Sequence, residues 1–89
     1  MKVKEFEDLH KSAGRTHIWV AQQIRIMKDP LDKAGEMQWV RIRLGEIEFP
    51  KRYRGRKVKA LAEIYGRSVD VIMELFELNK EEQDDGKRS

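Results

Sequence analysis

Apolar residues recur every three or four positions in short blocks along the chain, the period of helices buried on one side. Val3, Phe6, Leu9 and Ala13 line one face of a first helix. Gly14 suits the left-handed residue that closes a helix, and Thr16 suits the N-cap of a second. Val20, Ala21 and Ile24 form the buried stripe of that second helix. Residues 25–35 break the pattern, because Asp29-Pro30 favours a turn and Gly35 permits one. A third helix is predicted from Glu36 or Met37, where a carboxylate suits the positive end of the helix dipole. Trp39 and Ile42 share its buried side and Gly45 ends it.

The brief alternation of Glu46, Ile47, Glu48 and Phe49 has no partner strand and stops at Pro50, so it reads as an extended connector. A fourth helix turns Val58, Leu61, Ala62 and Tyr65 inward and closes at Gly66. Ser68 caps a fifth, with Asp70 in its first turn and Val69, Ile72, Leu75 and Phe76 on its apolar face. The pattern predicts an all-α domain of four or five short helices over residues 1–78. Its expected core is Phe6, Leu9, Val20, Ala21, Ile24, Trp39, Ile42, Val58, Leu61, Ala62, Ile72 and Leu75. Residues 79–89 are charged and cannot bury enough apolar area to offset ordering entropy, so they read as a disordered tail. No internal sequence repeat is present.

Length and composition narrow the class. The 89 residues make one domain. With no cysteine there is no disulfide framework and no thiolate zinc site. A secreted domain of this size would ordinarily use such staples, and the acid-containing N-terminus does not resemble a signal peptide, so a cytoplasmic location is expected. Nothing approaches the roughly 18 apolar residues of a membrane span, so no membrane partner is expected.

The net charge is only +3, but it is unevenly spread. Residues 51–59 carry six basic groups and no acid, whereas residues 61–89 set four cations against eight acids. A focused basic segment in a small domain points to a polyanion, usually nucleic acid. Lys51, Arg52, Arg54, Arg56 and Lys57 are the expected phosphate contacts, with Gly55 keeping the segment supple.

Two windows have helix-turn-helix character. In residues 61–75, Ala62, Gly66 and Ile72 have the spacing, but the second helix would offer Asp70, Glu74 and Glu77 to DNA, and phosphates repel carboxylates. In residues 16–45, the second helix offers Gln38, Arg41 and Arg43 on faces away from Trp39 and Ile42. Arginine pairs bidentately with guanine and glutamine with adenine, so this window has base-reading chemistry.

The latter window resembles a family. Thr16-His-Ile-Trp-Val-Ala-Gln-Gln-Ile24 is similar to the threonine-led second helix of Cro/lambda-repressor-type helix-turn-helix domains. Trp39-Val-Arg-Ile-Arg-Leu-Gly45 resembles the third helix with its terminal glycine, Pro50 falls where the family often has proline, and residues 61–72 resemble the fourth and fifth helices. The resemblance spans roughly residues 3–76 and implies a lambda-repressor-like fold and a sequence-specific transcriptional regulator of phage or bacterial type. It departs from the family in three ways: Arg25 stands where glycine is common, the turn over residues 25–35 is about eight residues longer than usual, and the basic run lengthens the next connector by a few residues.

From this reading Gln38 and Arg41 are expected to read base edges, Arg43 to meet a base or phosphate, and Thr16 and His17 to lie near the backbone. Lys28 and Lys33 in the long turn are further expected contacts to the DNA backbone. The alternative is a protein-interaction module on the same fold, an antirepressor or regulator-binding factor, which the long turn favours. Val71 and Leu78 are left over on the last helix as a candidate homodimer seam. His10 and His17 have no carboxylate at ligand spacing and read as solvent or phosphate contacts rather than metal ligands. Trp39 falls on the core stripe, and Trp19 lies beside Val20, half exposed. No nucleophile motif, acid pair or glycine-rich phosphate loop is present, so neither an enzyme nor a cofactor is expected.

Overall fold

Local capping sets several of the helix boundaries. The computed structural model describes residues 1–78, and the predicted tail lies outside the described residues. Five α-helices follow in order: α1 (Val3–Ala13), α2 (His17–Gln23), α3 (Lys33–Arg43), α4 (Arg56–Tyr65) and α5 (Val69–Leu75), with a 3-10 turn at Lys51–Tyr53. No strand occurs among the described residues, so the fold is a small all-α domain.

The first and last helix pairs are built the same way. Gly14 and Gly66 close α1 and α4 in the left-handed region, at φ 67° and 63°. Two residues later Thr16 Oγ1 accepts from the Trp19 amide at 3.0 Å, and Ser68 Oγ from the Val71 amide at 3.3 Å. Both seven-residue helices then end on a non-glycine left-handed residue, Arg25 at φ 61° and Glu77 at φ 55°. These landmarks recur at a constant sequence offset, a conformational correspondence with little sequence identity beneath it.

The third helix begins earlier than its apolar spacing predicts, at Lys33 rather than Glu36 or Met37. The reason is Asp32. Its carboxylate accepts from the Gly35 amide at 3.0 Å, capping the helix, and from the Lys28 amide at 2.8 Å, folding the preceding loop onto that cap. Gly35 is therefore no turn residue. It is buried in the first turn of α3, and a Cβ there would lie 2.3 Å from the Ile26 carbonyl oxygen. Glycine is needed for close approach, which lets α3 pass the loop.

The core contains the expected residues with corrections at its margins. Phe6 is fully buried at its centre, edge-on to Trp39 (6.0 Å, 86°) and Tyr65 (5.5 Å, 82°). Leu9 is only half-buried, and Val69, the first residue of α5, is exposed. Ile26, Met27, Phe49 and Met73 join the core. Ile26 and Met27 pin the long turn, and Phe49 pins the connector through contacts with Tyr53 and Phe76. Leu78 is likewise buried in the chain's own core, so of the pair read as a dimer seam only Val71 is exposed. α4 packs against α1, α2 and α5, while α3 packs against α2. The α2–α3 pair is thereby held on one side of the α4 scaffold.

Candidate nucleic-acid interface

The basic run is not a loose strand of charges. Pro50 leads into the turn at Lys51–Tyr53, closed by the Tyr53 and Arg54 amides on the Pro50 and Lys51 carbonyls at 2.9 and 3.1 Å. This turn aims Tyr53 at several partners. Arg52 donates to the Tyr53 hydroxyl at 3.2 Å while its guanidinium lies over the ring, 5.0 Å from the centroid. The Lys57 ammonium stands over the same ring at 4.5 Å. The hydrogen bond from Arg52 is the main cause that lowers the Tyr53 phenol, burial opposes it, and the Gln38 side chain on α3 lowers it further. Tyr53 thus joins the basic run to α3.

Lys57 joins it to α2. Its ammonium donates to the Ile24 carbonyl at 2.8 Å and the Arg25 carbonyl at 3.4 Å, at the negative end of that helix. Burial, offset by Tyr53, and the positive charge of Arg25 and Arg52 together hold the Lys57 ammonium below its usual range. Lys57 is committed to the fold. Arg56, at the start of α4, is exposed.

The predicted base-reading residues separate. Arg41 is exposed on α3, and among the described residues no carboxylate pairs with it. Gln38 is half-buried against Tyr53. Arg43 turns inward: its guanidinium meets the Glu7 carboxylate at 3.1 Å, and only 14% of its side chain is exposed. Thr16 is spent on the α2 cap. Lys28 is exposed in the long turn.

His17 is drawn into the interior. Its Nε2 lies 3.3 Å from Glu7, and its ring stacks on His10, which is buried rather than solvent-facing. His10 Nδ1 lies 2.8 Å from the Tyr65 hydroxyl. Burial lowers both imidazoles, and Arg43 lowers them further. Burial also pushes the Tyr65 phenol well above its usual range. Burial would raise the Glu7 carboxyl, but His17 and Arg43 together outweigh it and hold it low. Glu7 is the hub that links α1, α2 and α3. Neither this role nor that of Tyr53 was visible from spacing. For Tyr53 the only signal was an aromatic residue inside a basic run.

One face of α3 is unexpectedly apolar. Met37 and Leu44 are 53% and 47% exposed, one on either side of Arg41, and Leu31 in the preceding loop is 81% exposed. Among the described residues no helix is long and apolar enough to cross a membrane, and no group of three or more potential metal ligands stands together. No known family model, curated protein or solved structure matches this chain.

Proposed function

We propose that the chain binds double-stranded DNA sequence-specifically, as a transcriptional regulator of phage or bacterial type. In this reading α3 enters the major groove with Arg41 leading, and the segment from Lys51 to Arg56 meets the phosphate backbone. The observation that carries it is the Tyr53 hub. Through Gln38 and Lys57 it brings a basic run, remote in sequence, against the helical pair that holds Arg41. A base-reading helix flanked by backbone-contacting cations is the division of labour that sequence readout requires. Binding of labelled duplexes across salt concentrations tests it. The expected result is a steep fall of affinity with salt, about 0.9 logarithmic units per phosphate neutralised, together with preference for some sequences. Absence of binding at low salt would end the proposal.

A second reading has its own support. The exposed Met37 and Leu44 and the more exposed Leu31 give α3 an apolar outer surface that fits a protein groove as well as thymine methyl groups. A regulator-binding module would bind protein through this face and ignore DNA.

A further inference from the structure

Only two non-glycine residues among those described hold a left-handed backbone, and their side chains are used differently. Glu77 directs its carboxylate to the Met1 amino group. Arg25 is exposed, and among the described residues no carboxylate pairs with its guanidinium. Its conformation is held by backbone bonds at and after it: the Arg25 amide donates to the Gln22 carbonyl at 3.0 Å, and the Ala21 carbonyl accepts from the Ile26 and Met27 amides at 2.9 and 3.0 Å. Glycine would occupy this backbone without the steric cost that a Cβ brings. Residues kept in a costly backbone conformation cluster at functional sites, and Arg25 is one whose charge is turned to solvent.

The surroundings supply one. Arg25, Arg56 and Lys57 line a depression of about 380 Å³ together with Gln23, Ile24 and Ala60, and among the described residues no carboxylate lines it. The carbonyl end of α2 would normally repel an anion there. Lys57 covers that end, bonding the Ile24 and Arg25 carbonyls. Two guanidiniums are then left facing solvent beside a neutralised helix end. Guanidinium forks match phosphate oxygens in geometry as well as charge.

We infer that Arg25 and Arg56 together grip one backbone phosphate of duplex DNA, at the notch between the end of α2 and the start of α4. The inference rests on the DNA-binding reading and adds a contact from the enlarged turn. The grip needs both side chains, and Lys57 serves it by holding the helix end neutral.

The test pairs thermal melting with binding of a fluorescent mixed-sequence duplex from roughly 50 to 200 mM salt. Arg25→Gly is expected to keep or raise the melting temperature, since glycine accepts the left-handed backbone. It should weaken duplex binding about tenfold and reduce the salt slope by about 0.9. Arg56→Ala should match it, and the double variant should lose less than the sum of the two, because one phosphate is shared. Arg25→Asn removes the charge while tolerating the same backbone, so it gives the same readout by a second route. If the unaltered chain binds the duplex and both Arg25 variants bind with unchanged slope, the phosphate grip is wrong and the DNA-binding reading survives. If the unaltered chain binds no duplex, both fall together.

Discussion

The imidazoles of His10 and His17 lie face to face, their centroids 3.6 Å apart and their planes 8° from parallel. The stack joins α1 to α2 across Gly14, with Glu7 at one edge, Arg43 approaching from α3 and Tyr65 from α4. Two neutral rings stack favourably, whereas two imidazolium ions at this separation, beside an arginine, repel.

Stability should therefore fall on acidification. Both histidines have pKa values below their usual 6.5, mainly through burial, so below that pH the unfolded chain binds more protons than the folded one. The full contribution is present above pH 6.5 and is lost as pH falls from there through the lowered folded values. Glu7, also lowered, adds a further loss at more acidic pH. Urea midpoints should drop between about pH 7.5 and 5.5, and His17→Gln should flatten that drop. A midpoint constant across this window would contradict the neutral pair.

Arg41 and Arg43, two residues apart on α3, should behave as different kinds of residue. Arg41 is exposed, so Arg41→Ala should change stability by no more than about 0.5 kcal/mol. It should also flatten discrimination at one base position by about 1–3 kcal/mol. Arg43→Ala leaves the Glu7 carboxylate with His17 alone and should cost about 1–2 kcal/mol, below the range for a fully buried pair because Glu7 is 31% exposed. Melting and competition binding with base-substituted duplexes separate the two. Equal specificity losses from both would mean that Arg43 leaves Glu7 to reach DNA.

Glycine substitutions should be sharply position-dependent. Gly35→Ala drives a methyl group to 2.3 Å from backbone oxygen, where no flexible side chain can yield, and should destabilise by about 3 kcal/mol. At Gly55 φ is −80° and nothing lies within 4 Å of the added methyl, so Gly55→Ala should stay within about 0.5 kcal/mol. Denaturant titration of the two variants checks this. Near-equal stabilities would overturn the tight crossing of α3 past Ile26.

Lys57 should report on folding more than on phosphate. Lys57→Met removes the cation at the end of α2 and should cost about 0.5–1 kcal/mol. Its effect on the salt slope should be smaller than the reduction of about 0.9 expected for Arg56→Ala. A larger slope change for Lys57→Met than for Arg56→Ala would show that the ammonium leaves Ile24 to bind DNA.

The helix pairs at the two ends of the chain were legible because their signals are local. Gly14 and Gly66 supply a left-handed residue, Thr16 and Ser68 a capping oxygen, and the apolar spacing marks which side is buried. These depend on residues within one turn of each other. The start of α3 was misplaced because its cap, Asp32, lies in a stretch with no apolar period and because Gly35 looks like a turn glycine until Ile26 is placed beside it.

The candidate interface divides along the same line. The basic run and the exposed Arg41 could be read from composition and helical phase, since charge density and side-chain direction on a single helix are properties of neighbouring residues. Which cations are spent inside the fold could not. Arg43 is taken by Glu7, 36 positions away, and Lys57 by Ile24, 33 positions away. His17 is taken by a ring on a different helix. Each of these pairings depends on the angle at which helices pack, and that angle is set by close approach at Gly35 and around Phe6 rather than by any local preference. By itself the sequence determined the helices and the presence of unusual positive charge. Only the tertiary structure decided which of those charges faces outward, because a long side chain goes to whichever partner the packing brings within reach.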